Sequence, residues 1–151
     1  MSSWRALLGL CALALLPVAL QGAAGFKQDY LNELQYVSGH ATALAEAMPA
    51  ARYGWRPGRG VRSVSEVYVD MAAGNYLLLD LLGIKPPADL YGGVTTMGDA
   101  DMDKPLRFFG RDATVRAIFL RILVHLNEHT GQSVAYARMN GVTPQWSRSS
   151  E

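Results

Sequence analysis

The chain has 151 residues, half of them apolar, with 14 basic and 13 acidic side chains and three histidines. That length suits one domain with a real core. A formal charge of +1, with no long run of one sign, excludes the footprint of a nucleic-acid binder, and a single cysteine, Cys11, excludes a disulfide framework.

Residues 1–24 read as a leader. Arg5 precedes a continuous apolar run over residues 6–20, and the small residues Gly22, Ala23, Ala24 and Gly25 follow. Charge, apolar run and small-residue site are the layout of a secretory signal peptide, with cleavage expected after Ala24. The alternative is a membrane anchor, but the run is shorter than the roughly twenty residues that span a bilayer, and Pro17 interrupts it. Cys11 and Arg5 would leave with the leader, so 13 basic side chains would face 13 acidic ones. The expected mature protein is exported, periplasmic or secreted, with no stable membrane anchor.

Residues 26–48 place Tyr30, Leu34, Val37, Ala41, Leu44 and Met48 at helical spacing, and Pro49 ends the pattern. His40 flanks that stripe as a half-exposed helix histidine. Residues 50–62 form a connector, because Gly54, Pro57, Gly58 and Gly60 exclude a helix. Tyr53 and Trp55 are its anchors. Arg52, Arg56, Arg59 and Arg62 read either as a solvated face or as contacts for an anionic ligand.

Ser63, with Glu66 three residues on, forms a capping box that opens a second helix. Its apolar face carries Val64, Val67, Tyr68, Met71, Leu78 and Leu82, and Gly83 closes it. Asp70 is the one charge along the row Val67, Asp70, Gly74, Leu77 and Leu81. An acid placed there is solvated, paired or on a metal.

Residues 85–111 are rich in glycine and proline and keep no helical period. Asp99, Asp101 and Asp103 alternate as in a calcium loop, but Lys104 and Gly110 stand where that motif needs glycine and glutamate. Leu106, Phe108 and Phe109 suggest a short extended arm. Asp112 is the expected cap of a third helix running to Met139 or Asn140, which Gly141 and Pro144 terminate. His125 and His129 are four apart, hence one turn apart on one side of that helix. Neutral imidazole is a common ligand of zinc and similar metals. The segment H-L-N-E-H also matches the H-x-x-E-H pattern of inverted zinc peptidases, a five-residue match without a third ligand.

Four blocks carry a wider resemblance: A-L-A-E-A-M-P-A-A-R-Y-G-W-R-P, V-R-S-V-S-E-V-Y-V-D-M-A-A-G-N-Y, F-F-G-R-D-A-T-V and H-L-N-E-H-T-G-Q-S-V-A-Y-A-R-M-N-G-V-T-P-Q-W-S. Together they resemble the DinB-like superfamily over nearly all of residues 25–151. The resemblance implies an all-α four-helix bundle with a divalent-metal site of three histidines, one on the second helix and two on the last. Carried across, the ligands are Asp70, His125 and His129, with aspartate where the family has histidine. It further implies a metal-dependent hydrolase or transferase using zinc, nickel, iron or manganese on a small-molecule substrate. The alternative is a non-catalytic binding or assembly bundle with a degenerate site. The family's third long helix is absent from residues 85–111, so the bundle is expected to reduce toward three long helices. A gap of that kind predicts a homodimer that covers it.

Overall fold

The computed structural model describes residues 25–85 and 94–148; the expected leader, Pro86 and Pro87 lie outside them. Three long helices dominate: α1 (Phe26–Ala47), α2 (Val64–Asp80) and α3 (Val115–Met139). The fold is all-α, as the apolar periodicity predicts. None of the described helices is long and apolar enough to cross a membrane.

The buried face of α1 is Tyr30, Leu34, Val37, Ala41 and Leu44, the expected stripe. The capping box of α2 is present: the Ser63 hydroxyl accepts from the Glu66 amide at 3.3 Å, and a Glu66 carboxylate oxygen accepts from the Ser63 amide at 2.6 Å. Two orphan amide donors are thereby satisfied at the helix start. Gly83 and Gly141, just past α2 and α3, both take the left-handed backbone expected of helix stops.

α3 packs along both α1 and α2, whereas α1 and α2 touch each other little. Tyr30, near the start of α1, packs with its ring tilted at 5.0 Å against Phe119, near the start of α3. His40 of α1 stacks on Trp146, beyond the end of α3. α1 and α3 therefore run parallel, and α2 runs antiparallel to them. α3 lies between the other two helices. A groove of about 490 Å³ runs between α1 and α2, floored by Leu126 and lined by Ala41, Ala45, Met71, Ala72, Tyr76 and Leu79.

Tyr53 and Trp55 are part-buried on the core, and the Tyr53 hydroxyl donates to the Ala45 carbonyl at 2.7 Å. A 3₁₀ turn, Ala50–Arg52, lies within the connector that was expected to be irregular throughout. Residues 94–104 close one bundle end. Val94 and Met102 are fully buried there, and Lys27 donates to the Met97 carbonyl.

Two details of the middle region correct the sequence reading. The extended arm is half of a hairpin: β1 (Pro105–Phe108) pairs antiparallel with β2 (Arg111–Thr114). Its two-residue turn, Phe109–Gly110, has positive φ at both positions, 45° and 78°, the backbone twist that suits tight hairpins. Asp112 is consequently a strand residue paired with Arg107, and Thr114 caps α3 by accepting from the Ala117 amide at 3.3 Å. Hairpin pairing holds the backbone at Asp112 extended, so the cap moves to Thr114, the last residue of the strand. The aspartates divide their work: Asp101 accepts from the Gly98 amide and pairs with Lys104, and Asp103 pairs with Arg116.

Candidate metal centre

Asp70 and Gly74 lie one turn apart on α2, and His125 and His129 one turn apart on α3. Antiparallel packing sets the two pairs face to face. Asp70, His125 and His129 each present one ligand atom, all within 4.8 Å of one another. Among the described residues no other group of three histidine, cysteine or acidic side chains converges in this way. His40 stands apart, sandwiched against Tyr36 and Trp146.

Space for His125 comes from a missing side chain. A Cβ at position 74 would stand 2.8 Å from His125 Nε2 and 3.2 Å from Nδ1. Glycine in mid-helix costs about 1 kcal/mol relative to alanine, and here it yields a cradle for an imidazole. His125 Nδ1 lies 3.1 Å from Asn75 Oδ1. With Nδ1–H donating to that oxygen, Nε2 carries the lone pair.

His129 is oriented by a longer chain of hydrogen bonds. The Arg62 carbonyl can only accept, so the Tyr136 hydroxyl donates to it at 3.0 Å. Tyr136 then accepts from Gln132 Nε2 at 3.0 Å, which turns Gln132 Oε1 toward His129 Nδ1 at 2.9 Å. That nitrogen must donate, so Nε2 is again the ligating atom. Fixing imidazoles through their second nitrogen is how proteins orient metal-binding histidines.

His129 Nε2 faces Asp70 Oδ2 at 2.9 Å, and Asp70 Oδ1 lies 3.4 Å from the Arg62 guanidinium. The His129–Asp70 contact lies in the place where a cation would bind both atoms. A tetrahedral ion with bonds near 2.1 Å needs ligand atoms roughly 3.4 Å apart. The spacings here, from 2.9 Å to within 4.8 Å, bracket that value. Two imidazoles and a carboxylate form a facial donor set with open positions, suited to zinc or iron(II). The residues present therefore fit a divalent cation.

Burial pushes the His125 imidazole below its ordinary range, helped by the neighbouring His129 and opposed by Asp70 and Glu128. A depressed histidine binds fewer protons folded than unfolded. Its stability contribution is complete above about pH 6.5 and is lost as pH falls through the lowered value. We expect the urea midpoint of the metal-free protein to drop as pH is lowered below 6.5, with a smaller drop in His125→Gln. Equal slopes would show that His125 is not the linked group.

The centre sits between two clefts. Asp70 borders one of about 490 Å³, beside Arg56, Arg62, Val69 and Ala73. His125 borders another of about 220 Å³, beside Phe108, Phe109, Arg121 and Glu128. Glu128 is exposed and lies outside the ligand set, as its helix position predicts.

The three predicted ligands thus come together. Sequence reasoning missed Gly74 as a cradle and Asn75, Gln132 and Tyr136 as orienting groups. The one available signal was glycine a turn after the lone acid of an apolar row.

No protein-family model and no curated protein matches the sequence. Among solved structures the chain is similar to YjoA, a DinB-like protein from Bacillus subtilis, with a TM-score of 0.63 at 19% identity. The match covers 76% of this chain and 93% of that one. At this identity the likeness speaks for the fold, and the chain has the fold of a DinB-like protein.

Proposed function

We propose that the chain is an exported DinB-like protein whose Asp70, His125 and His129 hold a divalent cation for hydrolysis or group transfer on a small-molecule substrate. The observation that carries this reading is the Gly74 cradle: a helix position without a side chain admits His125 beside Asp70 and His129. A cation held there supplies Lewis acidity toward a substrate oxygen or a water. Asn75 and Gln132 would keep both imidazoles aimed.

A second reading, a non-catalytic bundle with a degenerate site, is favoured by one observation. Asp70 and His129 already satisfy each other, together with Arg62 and Gln132. Metal content by mass spectrometry separates the two. We expect near one zinc, nickel, iron or manganese per chain, lost in Asp70→Ala and in His125→Ala/His129→Ala. No metal after reconstitution would leave the binding bundle. Metal that survives Asp70→Ala would move the third donor elsewhere.

Export is supported by the layout of residues 1–24. Cleavage after Ala24 would leave Gly25, the cap of α1, as the new terminus. A partner is proposed at the groove between α1 and α2, where a second copy would cover the exposed Ala72 and Tyr76. A strictly monomeric protein by light scattering at micromolar concentration would count against that pairing.

A further inference from the structure

We propose that Arg62 is an anion-binding residue, held in reserve by Asp70 and released when the metal site fills, so that the ligand in the adjoining cleft carries a carboxylate or phosphate group. The proposal rests on the metal reading above and names the substrate class of that site. The Arg62 guanidinium has one weak hold: a single contact to Asp70 Oδ1 at 3.4 Å, with more than half of its side chain exposed. Exposed pairs of that kind contribute little to stability. Its main chain, in contrast, is fixed, because Tyr136 donates to the Arg62 carbonyl. Arg62 is therefore anchored at its base, loose at its tip, and placed where its tip reaches the centre.

Two routes join it to His129. One runs through the Asp70 carboxylate, the other through Gln132 and Tyr136 to the Arg62 carbonyl. With a cation on Asp70, the guanidinium faces a doubly charged neighbour within a few ångströms, and their repulsion turns it away from the carboxylate. The cleft of about 490 Å³ lies on that side. Arg56 does not compete for the role, since it bonds the Val61 carbonyl at 3.0 Å and Glu66 at 3.3 Å. A divalent ion, Asp70 and Arg62 together leave excess positive charge at a partly buried site. An oxyanion bridging guanidinium and cation offsets it, and arginine suits that geometry.

The test is calorimetric titration of inorganic phosphate into four proteins: zinc-loaded wild type, zinc-loaded Arg62→Gln, metal-free wild type and metal-free Asp70→Asn. Zinc content and circular dichroism are recorded for each. Expected results are at least tenfold weaker phosphate binding in zinc-loaded Arg62→Gln at unchanged zinc content, and tighter phosphate binding in metal-free Asp70→Asn than in metal-free wild type. Equal affinity in zinc-loaded wild type and Arg62→Gln would overturn the proposal. So would metal-free Asp70→Asn that binds phosphate no more tightly than metal-free wild type, because Asp70 would then not be what restrains Arg62. A wild type that takes up no zinc would refute the metal reading and the metal-driven release with it. The Asp70→Asn comparison would still decide whether Arg62 holds anions.

Discussion

Gly74→Ala should abolish tight metal binding while leaving the metal-free fold intact or slightly more stable. The two effects have opposite signs for separate reasons. On the helix, alanine gains up to about 1 kcal/mol over glycine. At the site, the new methyl would stand 2.8 Å from His125 Nε2. The imidazole is the side that yields, since it is a partly exposed side chain, and rotation breaks its bond to Asn75. Loss of an orienting partner alone costs 10–100-fold in metal affinity. Removing the ligand itself should cost at least about 100-fold. Zinc affinity by competition with a chelator, together with the urea midpoint of the metal-free variant, measures both. Unchanged affinity would mean that His125 is no ligand. A loss of several kcal/mol in unfolding free energy would mean that the glycine serves packing.

Phe119→Ala should do the reverse, destabilising the fold and sparing the site. Phe119 is fully buried on α3 and packs against Tyr30 of α1. Truncating such a phenylalanine costs about 3–5 kcal/mol, out of a usual total of about 5–15 kcal/mol. A cation that binds only the folded chain returns part of this loss, about 2.7 kcal/mol at one hundred times its dissociation constant. Urea titrations of Phe119→Ala with and without zinc should show that recovery, and Gly74→Ala should show none. A loss below 1 kcal/mol in Phe119→Ala would place the packing centre elsewhere.

The contrast between these variants follows what the sequence made legible. The three helices were readable because each writes its buried stripe at spacings of three and four and brings its own stop or cap. Of the candidate ligands, His125 and His129 were readable from their spacing, whereas Asp70, conspicuous as an acid on an apolar row, became a ligand candidate only through the DinB-like resemblance. Groups that act through tertiary contact were not. Tyr136 and Arg62 are 74 positions apart, as are the residues of no local motif, and their bond exists only once α3 lies against the connector. The hairpin was hidden for a different reason. Its turn puts Phe109, a bulky residue, at positive φ, where sequence rules expect asparagine, aspartate or glycine. Asp112, a good cap by type, was misassigned because strand pairing overrode its local preference.

The arrangement of the helices also governs the order in which structure can form. α1 and α2 each find their main partner in α3, the last long helix to leave the ribosome, and they touch each other little. During synthesis the first two helices have apolar faces and nothing to cover them, and isolated helices of this length are marginal in water. Stable structure therefore waits for α3.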